Sequence, residues 1–162
     1  MTELRHRRTI EFADPLHTRD AVAAMSGLDA MRALRDGIIP PPPIVETMRF
    51  SLIAADPGTV TFECRPGLEH YNPIGVVHGG LACTLLDTVT GCAAHTTLEA
   101  GQGYTSIEIS VKYLRPITAD LGVLTAVGTV TKTGRRVIFA DGTIADVSGK
   151  LVATASSSLL VL

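Results

Sequence analysis

Apolar residues follow two rhythms along this chain, and the change between them marks its organisation. From Tyr71 to Leu98 the sequence reads YNPIGVVHGGLACTLLDTVTGCAAHTTL. A turn-forming Asn72-Pro73 and the triplet His78-Gly79-Gly80 lead into a proline-free stretch with helical spacing, which predicts a loop feeding a helix that starts near Gly79. At 100° per residue Ala82, Leu86, Val89 and Ala93 share one face, and Thr84, Asp87, Thr88, Gly91 and His95 share the opposite one. Leu81 to Thr97 is so dense in small and apolar side chains that the helix is expected to be buried on most sides.

A second helical pattern lies before it. Val22, Met25, Leu28, Met31 and Leu34 recur at spacings of three within residues 18–36, an amphipathic helix with a break expected near Ser26-Gly27. Gly37 is the C-cap candidate, and Pro40 to Pro43 are expected to form a stiff extended linker. Residues 1–43 therefore read as a helical extension, a separate arm or cap, and residues 44–162 as the main domain.

From Glu46 the rhythm changes to period two with β-branched residues. Strands are predicted at 46–54 and 59–65 around an Asp56-Pro57-Gly58 turn. Four more follow the helix at 104–115, 121–132, 136–146 and 150–161, punctuated by Gly134 and by the Asp146 to Gly149 turn. Two strands, one helix and four strands make an α+β order rather than alternating βαβ units.

Composition narrows the function classes. A chain of 162 residues, 46% hydrophobic, is long and apolar enough for one core. A net charge of −2 supplies no basic field for nucleic acid or anionic lipid, and the absence of tryptophan argues against base-stacking platforms. Cys64, Cys83 and Cys92 are odd in number and lack CxxC spacing, which disfavours a disulfide framework or a zinc site. His70 and His95 form no recognisable metal set with His78, and His95 lies near the helix end, where an imidazolium would interact well with the helix dipole. No run approaches the ~20 apolar residues of a membrane span. The expectation is a reducing, cytoplasmic compartment, with no metal, no nucleic acid and no membrane.

Two features can carry chemistry. Asp87 places a carboxylate in the middle of an apolar helix, where it either does chemistry, lies solvated in a cleft, or bonds to a neighbouring strand. Gly79 and Gly80 open the helix, where unsatisfied amides and the helix dipole can form an oxyanion hole; tight packing against a strand is the alternative. Eight residues of helix put Gly79 and Asp87 about 12 Å apart at 1.5 Å per residue. They cannot both reach one carbonyl carbon. If both act on one substrate, the carboxylate must come from a second copy whose helix runs antiparallel beside the first, giving a dimer with two symmetric sites.

Asn72, His78-Gly79-Gly80, Asp87 seven residues after Gly80, and the downstream TSIEISVKYLRPI fall in register together. In this the chain, over roughly residues 41 to 162, resembles the hotdog-fold acyl-CoA thioesterases of the phenylacetate-pathway type. The resemblance implies a long central helix wrapped by a curved antiparallel sheet, pairing into a homodimer or a dimer of dimers, and hydrolysis of an acyl-CoA in which coenzyme A is part of the substrate and no separate cofactor is used. It implies that Asp87 is the nucleophile or the general base, that Asn72 positions water or the thioester, and that His78 orients the loop or bonds near the sulfur. Ser106, in the segment matching the family's central strand, is the remaining polar candidate. Cations for the CoA phosphates are sought at Lys112 and Arg115, and at Lys132, Gly134, Arg135 and Arg136; the second cluster is otherwise an ordinary solvated turn. Two other readings stand beside this one. A non-catalytic acyl-CoA sensor has no need of Asp87, and a hotdog hydratase needs a differently placed His and carboxylate.

Overall fold

The structure is a computed structural model and describes residues 4–162. Helices α1 (Pro15–Ala23), α2 (Gly27–Arg35) and α3 (Pro43–Met48) precede strands β1 (Phe50–Asp56) and β2 (Thr59–Cys64). Helix α4 (Gly79–His95) follows, and then strands β3 (Tyr104–Tyr113), β4 (Leu124–Thr133), β5 (Val137–Ala145) and β6 (Leu151–Val161).

Local chemistry sets most of these boundaries. Asp14 caps α1 by accepting from the Leu16 N–H, with Pro15 pre-set at the first helical position. The expected break falls at Ser26, whose Oγ accepts from the Asp29 N–H at 3.2 Å and starts α2. Gly37, just past the end of α2, takes φ +70°, the left-handed conformation that a glycine adopts without strain. The strand expected at 46–54 is corrected: β1 begins only at Phe50, because Pro43 ends the linker by initiating α3. Proline's fixed φ suits a first helical turn, Thr47 Oγ donates back to the Pro43 carbonyl, and Arg49 closes the turn in the αL region at φ 59°, ψ 46°. Residue 121, expected to open a strand, lies instead in a short 3-10 turn before Gly122 at φ +74°.

The strands form one antiparallel sheet in the order β1-β2-β4-β5-β6-β3, with α4 packed across its inner face. Leu86, Val89 and Ala93 are fully buried, as the helical periodicity requires, and so is Thr90 on the flank. Burying each leucine side chain contributes about 2–3 kcal/mol. Close approach of helix to sheet depends on Gly128 and Gly142, cross-strand partners directly beneath α4. A Cβ on Gly128 would lie 2.0 Å from the Val89 carbonyl oxygen, so only glycine fits there. Strand β3 pairs on one side only, with β6, and most of its residues are exposed.

The N-terminal helices lie against this core. The Gly27 N–H donates to the Leu98 carbonyl at 2.9 Å, and a Cβ on Gly27 would fall 1.6 Å from the His95 carbonyl oxygen, so α2 meets the end of α4 backbone to backbone. Met31 enters the main hydrophobic cluster with Phe50, Phe62 and Leu85. Among the described residues no helix is long and apolar enough to cross a membrane.

Candidate active site

Asp87 sits at mid-helix, half-buried, and accepts a hydrogen bond at Oδ1 from Ser106 Oγ at 2.8 Å. Ser106 owes its aim to an irregularity in β3. Pairing with β6 runs Ser106 to Leu159 and Glu108 to Ser158, leaving Ile107 as the extra residue of a bulge. Beside Ser106, Tyr104 leans over Gly91 of α4, where any Cβ would lie 2.4 Å from the phenol oxygen.

Asp87, Thr88, Cys92, Tyr104 and Ser106 form one wall of a cavity of about 410 Å³, opposite apolar residues of β1, β2 and the N-terminal segment. Burial, with the negative charge of Asp87 adding to it, pushes the Cys92 thiol up to about 12. Burial likewise raises the Tyr104 phenol well above its ordinary value. Both shifts favour the neutral forms, which disfavours a thiolate nucleophile on this wall. Asp87 is the charged group that α4 presents to the cavity.

The start of α4 is built differently. His78 is the N-cap, its Nδ1 accepting from the Gly80 N–H at 2.8 Å and its carbonyl from the Leu81 N–H at 3.0 Å. Of the two glycine amides read from the sequence as oxyanion donors, that of Gly80 is thus engaged by His78. The Gly79 N–H has no protein acceptor among the described residues. Tyr113 closes over this glycine and donates to its carbonyl at 3.2 Å, with its ring 3.2 Å from where a Cβ would stand. Asn72 organises the preceding loop: Oδ1 accepts from the Ile74 and Val76 amides at 3.1 and 3.3 Å. Asn72, Val77, Gly79, Ala82 and Tyr113 line a second cavity, of about 370 Å³. One chain therefore holds Asp87 with Ser106 in one cavity and Asn72 with Gly79 in another, matching the ~12 Å offset along the helix.

The cationic candidates divide. Arg115 is tied into the fold, donating from Nη2 to Asp146 Oδ2 at 2.7 Å and to the Lys150 carbonyl, and from Nε to the Leu151 carbonyl. Lys112 is exposed on β3. Lys132, Arg135 and Arg136 are exposed around the β4–β5 hairpin, where Gly134 leaves room for the Val137 carbonyl, 2.3 Å from a would-be Cβ. The expectation for His95 is corrected: it is buried against Tyr104, and desolvation lowers its pKa, so the neutral imidazole is favoured there. His70 is also held low by burial, and its Nδ1 accepts from the Gly67 N–H. Among the described residues no three His, Cys, Asp or Glu side chains are placed to share a metal ion.

Tyr104, Cys92 and Tyr113 were not read from the sequence as site residues. The available signal was positional: Tyr104 lies two residues before Ser106, on the same face of a strand.

The thioesterase superfamily model matches residues 74–153, from the loop before α4 into β6. Human acyl-coenzyme A thioesterase 13 is 36% identical over 109 residues, 65% of this chain and 74% of the human protein, and the mouse protein of that name is 31% identical over the same length. Among solved structures, a phenylacetic acid degradation-related protein of Ralstonia eutropha JMP134 superposes with a TM-score of 0.74 at 29% identity, covering 80% of this chain and 98% of that one. The E. coli PaaI protein shares the fold, with a TM-score of 0.68 at 22% identity, covering 74% of this chain and 83% of its own. Sheet, central helix and matched span agree: the chain belongs to the hotdog-fold thioesterase superfamily and is a thioester hydrolase.

Proposed function

We propose that this protein hydrolyses an acyl-CoA to the free acid and CoA at a site completed by a second copy of the chain. The observation that carries this reading is the division of the chemistry between two cavities of one chain, beside a sheet edge at β3 that has no further strand partner among the described residues. A second copy related by a two-fold axis and added along β3 brings the Gly79 end of one α4 towards Asp87 of the other. The names of the 36%-identical relatives support CoA as the thiol.

In such a site the Gly79 N–H, with the partial positive charge of the helix end behind it, meets the thioester oxygen as it becomes negative. One such donor is worth roughly 3 kcal/mol in the transition state. Ser106 holds Asp87 Oδ1 and leaves Oδ2 for the reaction. The carboxylate then either takes a proton from water that attacks the carbonyl carbon, or attacks that carbon itself to give a mixed anhydride that water cleaves. In both routes the C–S bond breaks and the thiolate leaves as CoA. The Asn72 carboxamide, whose oxygen is engaged within the loop, offers its N–H₂ group to the thioester or the water. Lys132, Arg135 and Arg136 are placed for phosphate oxygens at the surface.

The test is subunit complementation. Asp87→Asn and Asn72→Ala chains, each folded and inactive alone, are mixed under conditions that exchange subunits, and thiol release from acyl-CoA is followed. Recovered activity in verified heterodimers is expected, since one site in each would hold an intact loop and an intact carboxylate. No recovery overturns the shared site, and tight binding of acyl-CoA to the wild type with no thiol release makes the protein a sensor. Single turnover in isotopically labelled water separates the two routes, because an anhydride can leave label in Asp87.

A further inference from the structure

The cavity that contains Asp87 is closed by residues outside the span that matches the thioesterase superfamily. Its far wall consists of Met31, Leu34 and Arg35 of α2, Pro41, Pro42, Ile44, Val45 and Glu46 of the following segment, and Phe50 and Leu52 of β1, all before residue 74 where the match begins. We propose that α2 and the proline segment are the specificity wall of the acyl pocket, and that Met31, Leu34 and Pro42 set the size of a neutral, apolar acyl group whose thioester lies at Asp87. The proposal rests on the catalytic reading of Asp87 and extends it to the substrate.

Three features carry it. The wall is held in place by specific contacts. Gly27 docks backbone to backbone on the end of α4, Arg32 Nε donates to the Ala55 carbonyl at 3.4 Å, Thr18 Oγ1 donates to the Pro40 carbonyl at 3.2 Å, and Ile39 is buried. A surface held at this many points is pre-organised, so little ordering cost falls on the ligand. The lining is also apolar: Met31, Leu34, Phe50, Leu52 and Phe62 contribute to it, and among the described residues its charged side chains besides Asp87 are Arg35 and Glu46, both exposed. Arg35 donates to both oxygens of Asp36, at 2.7 and 3.0 Å, so no unpaired cation waits for an acyl group that ends in a carboxylate. Finally, about 410 Å³ lies in the lower part of the ~300–1,000 Å³ range of small-molecule pockets. That volume is generous for an acetyl group and short for a long fatty chain, which selects medium-sized groups.

The experiment compares kcat/KM for acetyl-, octanoyl-, palmitoyl- and succinyl-CoA in the wild type, in Leu34→Trp and in Ile44→Trp, with melting curves for each. Ile44 is part-exposed at the rim, so its variant keeps the test open if the indole at residue 34 unfolds the protein. The wild type is expected to prefer octanoyl-CoA over acetyl- and succinyl-CoA by at least tenfold. In folded variants the octanoyl-to-acetyl ratio is expected to fall at least tenfold, because the added ring occupies acyl space. Asp87→Asn assayed on the same panel keeps the two claims apart. If it retains turnover, the catalytic reading fails whatever the profile. If it abolishes turnover while both tryptophan variants scale all four substrates by one factor, the acyl-wall proposal fails alone. A wild type that prefers succinyl-CoA also overturns it.

Discussion

Asp87 and Asp146 are carboxylates of one chain in opposite conditions. Asp146, at the β5–β6 turn, has a side chain only 5% exposed and accepts from the Ser148 N–H, the Ser148 hydroxyl, the Lys150 N–H and Arg115. Those hydrogen bonds, that from the Ser148 hydroxyl foremost and that from Arg115 next, hold its carboxyl well below the usual carboxylate range. Asp87 has a single protein donor among the described residues, Ser106, and faces a cavity. A buried carboxylate with its acceptor sites filled has nothing left to offer a ligand and acts as a structural tie. One that is half-buried and bonded through one oxygen at a cavity wall keeps acceptor capacity for chemistry. The same residue type is thus spent on the fold in one region and left with acceptor capacity at a cavity in the other, and donor supply makes the difference.

The largest test of that contrast is Asp87→Asn. It keeps volume and removes charge, so kcat is expected to fall by about 10²–10⁴ while the melting temperature and acyl-CoA binding stay near wild type. A large loss of stability with modest loss of turnover would make Asp87 a second structural tie.

Asp146→Asn should do the reverse, lowering the melting temperature while the folded enzyme keeps its turnover. Its folded pKa is depressed, so its stabilisation is fully present above the unfolded value near 3.9 and is lost as pH falls below that towards the folded value. Wild-type and mutant melting temperatures should therefore differ at neutral pH and converge in acid. A gap that persists unchanged at low pH would remove the charge from the explanation.

The smallest effect is expected at the β4–β5 hairpin. Arg135→Ala and Arg136→Ala should raise KM for CoA thioesters more than they lower kcat, because contacts remote from the carbonyl bind ground and transition states alike. Truncated pantetheine thioesters should be indifferent to both changes. Equal losses on the truncated esters would assign these arginines to the fold.

Legibility in the sequence follows the length scale of each interaction. Helix α4 was readable because seventeen residues of one period are hard to mistake, and β2 to β6 because turns bound them. Helix α3 was not, since six residues span too few turns to show a period and Pro43 served equally well as the end of a linker. Alternation in β3 marked a strand without revealing that it lies at the sheet edge with both faces largely exposed. At the site, Asp87 stood out as a charge among apolar neighbours, whereas its link to Ser106, nineteen residues on, depends on a bulge that no local pattern encodes. Arg115 was legible as a cation but its partner was not, because Asp146 lies thirty-one residues away and only the fold brings them together. The segment from Met31 to Pro42 read as part of an N-terminal extension because burial against another part of the chain leaves little trace in local spacing.

Gly128 and Gly142 carry a consequence for how this protein can change over time. At Gly128, beneath Val89 and two residues along the helix from Asp87, the α4 backbone meets the strand directly, whereas its partner Gly142 makes room for the Leu86, Val89 and Thr90 side chains. Substitutions elsewhere in the core leave the backbone contact at Gly128 in place, so the position of this part of α4, and with it Asp87, is held while hydrophobic residues vary. The α2 and proline-segment side of the Asp87 cavity presents side chains such as Met31 and Leu34, which can change one at a time. On the proposed reading, inheritance of the reaction and diversification of the substrate fall to different parts of the chain.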